Sequence, residues 1–196
     1  MPFCSWQLLC CYSFGFGADS GLDVKTRSKQ NQAPLNMRTE FRKAILPREI
    51  RSLMAFDRKV FSSSDLFDAG TWKVFESYWM VVDGVKAGCC AFEAHADFQE
   101  DIHQGGINPR LKGSLYISTT GILPRFRGKG FGTLLKAWEI SYARYHGFNC
   151  IVTNTRKRNV AMIKLNRKFG FRIIRTTPGY YSDPPDATVV MELRLR

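Results

Sequence analysis

The sequence predicts an α/β fold of the α+β kind, a mixed and mostly antiparallel sheet flanked by helices, and three observations carry that prediction. Two strand-like apolar runs, 77–82 and 85–94, are separated only by Asp83-Gly84, a pair strongly favoured in two-residue hairpin turns. A third run at 114–122 is joined to a fourth at 150–154 by a long amphipathic helical stretch, a crossover that makes two strands parallel. Further strand-like runs at 39–43, 171–177 and 187–195 extend the sheet at both ends of the sequence.

The elements follow in order. Residues 1–36 contain a polar, aperiodic stretch and read as an irregular or disordered extension, with one domain over 37–196. After the strand at 39–43, Pro47 fits the first turn of a helix reaching about Phe61, and Ser64-Asp65 fits the cap of a short helix through Trp72. The hairpin is followed by a polar loop, 95–112, with Gly105-Gly106 and Pro109. In the helix at about 130–146, Phe131, Leu134, Leu135, Trp138, Tyr142 and Tyr145 form an apolar stripe, and Gly147 closes it. Asn159 is placed to cap a last helix, with Met162, Leu165 and Phe169 on its apolar side and Gly170 at its end.

Composition narrows the function classes. With 29 Lys and Arg against 17 Asp and Glu, the formal charge is +12, so polyanions of any kind are attracted. The local clusters Arg125, Arg127, Lys129 and Arg156, Lys157, Arg158 say more than the sum. No run of 18 apolar residues occurs, so no helical membrane span is expected. None of the six cysteines forms a C-x-x-C pair, which leaves a metal site without support and points to reduced thiols in the cytoplasm.

The sharpest motif is Arg127-Gly128-Lys129-Gly130-Phe131-Gly132-Thr133, between a strand and the long helix. Closely spaced glycines let several backbone N–H groups converge with no Cβ in the way. The helix start adds orphan N–H donors and the positive end of a dipole, so a pyrophosphate fits there. Neither G-x-x-x-x-G-K-[ST] nor G-x-G-x-x-G matches in register.

These residues resemble the GNAT acetyltransferases, whose coenzyme A motif [Arg/Gln]-x-x-Gly-x-[Gly/Ala] is matched by Arg127, Gly130 and Gly132. A second family segment follows as Asn159, Met162, Leu165 and Gly170-Phe171. The resemblance implies acetyl-CoA as cosubstrate, with a splayed strand pair at 114–122 and 150–154 that admits its pantetheine arm. It further implies that amides near Ile122 and Leu123 hold the pantetheine and polarise the thioester. The loop of Arg127, Gly128, Lys129, Gly130, Gly132 and Thr133 then binds the diphosphate, and Asn159 contacts the pantetheine.

Within that family the chain is most similar to protein N-terminal acetyltransferases. Tyr116 stands eleven residues before Arg127, as a catalytic strand tyrosine does there, and Tyr180-Tyr181 resembles the paired tyrosines of the loop between the last two strands. Tyr116 would then order water or relay the amine proton, and Tyr180 and Tyr181 would line the peptide site. An α-amino group near pKa 7.7–8.0 loses its proton at pH 7 for only about 1–1.4 kcal/mol, against about 4.6 for lysine, so an N-terminal substrate needs a weaker base. Asn154 and Asn166 stand where the family places a base and an acid, and neither amide takes up a proton. Glu93, His95 or Asp97 is an alternative base, with Glu93 preferred.

The expected acceptor is a peptide N terminus or a small-molecule amine. The rivals are a basic nucleic-acid-binding module, which lacks a helix with clustered basic residues, and a coenzyme A binder with weak turnover. No specific nucleic acid or membrane partner is expected.

Overall fold

The structure is a computed structural model that describes residues 37–61, 65–94 and 113–195, so the extension and the expected loop at 95–112 lie outside it. Seven strands form one sheet: β1 (Thr39–Lys43), β2 (Glu76–Val82), β3 (Val85–Ala94), β4 (Ser114–Ile122), β5 (Cys150–Arg156), β6 (Arg172–Ser182) and β7 (Pro185–Arg194). Their order is β1-β2-β3-β4-β5-β7-β6. Every neighbouring pair is antiparallel except β4 and β5, the pair joined by the helical crossover.

Among the described residues the α-helices are α1 (Ile50–Val60), α2 (Ala69–Val74), α3 (Phe131–Tyr145) and α4 (Val160–Lys168). Side-chain alternation splits the core between the two faces of the sheet. On one face Trp79, Val81, Cys89 and Ala91 pack with Ile50, Leu53 and Phe56 of α1 and Trp72 of α2. On the other, Met80, Cys90, Phe92, Leu115 and Ile117 pack with Phe131, Leu135, Ile140 and Ala143 of α3.

Two local expectations are corrected. Asp65 does not cap α2: Asp68 does, its carboxylate accepting the Thr71 N–H at 2.7 Å, while Asp65 is held by a distant arginine described below. The α3 stripe is also rotated from the sequence reading, leaving Leu134 37% and Tyr145 87% exposed while Lys136 and Glu139 are 1% and 0% exposed. Those two charges are buried because they satisfy one another at 2.5 Å, and Thr120 of β4 donates to Glu139 at 2.6 Å. The trio fixes α3 against β4 about two turns along the helix from the glycine loop.

Asp57 of α1 is 1% exposed. One of its oxygens accepts the Phe67 N–H at 3.0 Å and so holds the segment between α1 and α2, while the other has no hydrogen-bond partner. Burial pushes its carboxyl from 3.8 up to about 6, against the lowering effect of the Phe67 bond. A raised carboxyl contributes stability that is complete below pH 3.8 and is lost as pH climbs through 6. That shift is worth about 3 kcal/mol at about 1.4 kcal/mol per unit. Asp57→Asn keeps the acceptor but places an NH2 at the unpartnered position. In urea titrations it is therefore expected to match the parent near pH 4 and exceed it by about 1–2 kcal/mol at pH 7–8. A parent that is equally stable at both pH values would contradict this.

Candidate active site

The site begins where two strands part. β4 and β5 pair only from Ser114 with Cys150 to Ile117 with Thr153, and the Thr153 hydroxyl donates to the Ile117 carbonyl at 3.1 Å at the end of that ladder. Beyond it β4 runs on to Ile122 beside β3, and β5 runs on to Arg156 beside β7. The register of β3 with β4 shifts just there: Phe92 pairs with Ile117 and Ala91 with Thr119, so Ser118 is a bulge residue. A bulge bends its strand, and here the bend coincides with the opening between β4 and β5.

The glycine loop stands at the end of β4. A 3₁₀ turn, Pro124–Phe126, leads through Arg127 to Gly128 and Gly130, whose φ angles of 73° and 83° lie in the left-handed region that favours glycine. The first amide bonded back into α3 is that of Leu134, to the Gly130 carbonyl at 3.1 Å. The amides of Phe131, Gly132 and Thr133 therefore have no helical carbonyl to reach. Phe131 and Phe126 are buried edge to face at 5.7 Å and hold the loop in place. A Cβ at Gly128 would meet nothing within 4 Å, so the loop is open on that side. An anionic diphosphate fits these donors, with the exposed Lys129 beside them.

Two of the expected cofactor residues are otherwise engaged. The Leu123 N–H donates to Ala87 at 2.9 Å, so it closes the sheet and does not face the gap. Strand alternation turns the neighbouring Ile122 amide to the open side. The Arg127 guanidinium folds back, Nε to the Ile122 carbonyl at 2.9 Å and Nη2 to the Val60 carbonyl at 3.1 Å, tying β4 to the end of α1. Asn159 caps α4 as expected, its oxygen accepting the Met162 N–H at 3.2 Å.

On the face shared with α1 and α2, the structure assembles a polar cluster. Glu93 and Tyr116 are cross-strand partners, and the bulged Ser118 donates to Glu93 Oε1 at 2.6 Å. The Tyr116 hydroxyl donates to Asn154 Oδ1 at 2.6 Å, and Asn154 Nδ2 reaches the Thr188 hydroxyl at 3.3 Å. Asn154 thus joins three strands. Asn166 is fully buried, its NH2 on the Met191 sulfur at 3.6 Å, so it serves packing beneath β7.

Tyr180 and Tyr181 lie inside β6, which continues to Ser182 and turns through Asp183-Pro184 into β7, so the expected loop is a hairpin. Two arginines from the end of β5 clamp that hairpin. Arg156 stacks on the Tyr181 ring at 4.1 Å, grips Asp65 with Nε and Nη2 at 2.8 and 2.6 Å, and donates to the carbonyls of Pro184 and Asp183. Arg158 pairs with Asp186 at 3.0 Å. Burial raises the Tyr181 hydroxyl above its usual value, and a hydrogen bond to Thr188 opposes this. Ser118, Thr188 and the Arg156–Asp65 pair were not singled out from sequence, because a bulge and a contact 91 residues apart leave no local signature.

The strand gap thus opens beside a helix start rich in free amides, and the sequence matches the acetyltransferase (GNAT) family over residues 48–171. The chain belongs to the GNAT acetyltransferases. It is therefore an acyltransferase that uses acetyl-CoA as acetyl donor. It is 28% identical over 158 residues to a Drosophila melanogaster protein named "Probable N-acetyltransferase san", covering 76% of this chain and 77% of that one. Over 81 residues it is 35% identical to N-alpha-acetyltransferase 50 of Danio rerio, covering 40% and 48%. An acetyltransferase of Salmonella typhimurium, solved with its cofactor acetyl-CoA, has the same fold with a TM-score of 0.63 and 18% identity, covering 81% of this chain and 95% of that one.

Proposed function

We propose that this GNAT enzyme acetylates the α-amino group of a protein or peptide, with Glu93 as base and Tyr116 orienting the amine. The observation that carries the reading is the polar cluster at the mouth of the strand gap, where Ser118 fixes Glu93 and Asn154 fixes the Tyr116 hydroxyl. The likeness to two N-acetyltransferases, one of them an N-alpha-acetyltransferase, supports the acceptor class.

Gly128, Lys129, Gly130, Gly132 and Thr133 hold the diphosphate, and the Ile122 amide and Asn159 hold the arm that carries the acetyl group. The amine nitrogen forms a bond to the thioester carbonyl carbon, and the C–S bond breaks to release thiolate. The proton displaced from nitrogen goes to Glu93 and from there to the sulfur. Because an α-amine gives up its proton at low cost, a carboxylate suffices as base. Tyr116 donates its own proton to Asn154, which fixes the direction of its hydroxyl beside the amine. Tyr180 and Tyr181, on the clamped hairpin, line the peptide path. A cytoplasmic location belongs to the same proposal, supported by the buried free thiols of Cys89, Cys90 and Cys150.

Mass spectrometry of products from a mixed library of peptides and polyamines tests the acceptor: acetyl on peptide α-amines supports the proposal, and acetyl confined to polyamines contradicts it. Tyr116→Phe is expected to lower turnover about tenfold, the worth of one hydrogen bond of about 1.4 kcal/mol, with acetyl-CoA affinity unchanged. Equal rates in the two proteins would remove Tyr116 from the chemistry.

A further inference from the structure

We infer that the acceptor carries a carboxylate close to its amine, and that Arg175 is the residue that recognises it. The inference rests on the acetyltransferase reading and narrows its substrate class.

Arg175 lies in β6 opposite Val190 of β7, and Val190 is in turn opposite Asn154 of β5. Paired residues share a face, so Arg175 stands in the same cross-strand row as the amide that binds Tyr116. Val190 packs in one cluster with Tyr116 and Val152, against Ile174, so Val190 lies on the Tyr116 face of the sheet. The register shifts between Ile173 and Arg175, so the arginine follows a bulge, a device that re-aims a side chain.

Its Nε and Nη2 atoms are buried and have no hydrogen-bond partner. Among the described residues no other cationic side chain has buried nitrogens left in that state. Lys136, also buried, is paired with Glu139, and Arg156 with Asp65. A guanidinium stays charged at any physiological pH, and burying it unpaired is unfavourable. Glu192, two residues along β7 from Val190, is paired with Arg194.

The two unpartnered nitrogens also specify the ligand. Nε and Nη2 are the pair with which Arg156 grips the two oxygens of Asp65, so Arg175 offers to an incoming group the fork that this fold already uses for a carboxylate. Two strand spacings, about 10 Å, separate Asn154 from Arg175, and an extended peptide rises about 3.4 Å per residue. An acidic side chain at the second or third residue of an N terminus therefore bridges the span between amine and guanidinium.

The test compares kcat/KM of the full-length enzyme on peptides that differ only by Asp against Asn, or Glu against Gln, at the second and third residues. Free glutamate against its amide is included as a small acceptor pair. The expected result is a preference of about tenfold or more for the acidic member, expressed mainly in KM, since a hydrogen bond to a charged group gives roughly that discrimination. Arg175→Met erases the preference by slowing acidic acceptors to the rate of their amides, and Arg175→Glu shifts it toward lysine-bearing peptides. Thermal melts of both variants check folding, and the comparison within the parent enzyme decides the matter even where a variant does not fold. Equal rates on acidic and amide acceptors, or a preference that survives in Arg175→Met, would overturn the inference while leaving acetyl transfer intact. Absence of turnover on every acceptor would instead bring down the reading on which it rests.

Discussion

Gly130→Glu is expected to abolish acetyl-CoA binding, weakening it by more than about a hundredfold in calorimetry. Two costs combine at this position. The φ of 83° is one that side chains rarely adopt, at roughly 1–2 kcal/mol for a residue with a Cβ. The new carboxylate would also stand at the opening of α3, competing for the amides of Phe131, Gly132 and Thr133 and repelling the diphosphate they attract. Like charges brought together in this way cost several kcal/mol. Gly132→Ala separates folding from binding, because a Cβ there meets only the Leu165 Cδ2 atom at an ordinary 3.7 Å. Retained affinity in Gly130→Glu, with an intact thermal transition, would contradict the assignment of this loop to the diphosphate.

Glu93→Gln is expected to lower kcat/KM by about 10²–10⁴, the usual contribution of a positioned general base, while acetyl-CoA affinity stays at the parent value. The amide can still accept the Ser118 hydrogen bond, so the local geometry survives and only the proton acceptor is lost. Glu93 is the right group to test because its cross-strand partner is Tyr116 and its bond to Ser118 lies at the bulge where β4 leaves β5. A variant that turns over at the parent rate would assign the proton to solvent.

Much of this was legible in the chain before folding. The hairpin at Asp83-Gly84, the strand Ser114–Ile122 and the helix after the glycine loop fall where periodicity and turn chemistry place them. Those signals are local, set by neighbours a few residues apart. The active-site cluster is different in kind. Ser118 is one polar residue among several in β4, and only its pairing with β3 turns it into a bulge that fixes Glu93. Arg156 sits in a basic run that reads as solvated charge, yet its partner is Asp65, brought to it by the sheet. Burial of Lys136 and Glu139 defies the apolar stripe for the same reason, since the third member of their group is Thr120 on another strand. Leu123 and Arg127 show the converse: a motif names positions, and the hydrogen bonds decide which of them remain free to bind.

Amide hydrogen exchange with and without coenzyme A tests the central claim most directly, namely that the start of α3 holds the diphosphate beside an open strand pair. Slowed exchange at residues 128–133 and at Ile122, with the paired stretch from Ser114 to Ile117 unaffected, is the predicted result. Protection that leaves the glycine loop unchanged, or that appears only elsewhere on the molecule, would contradict it.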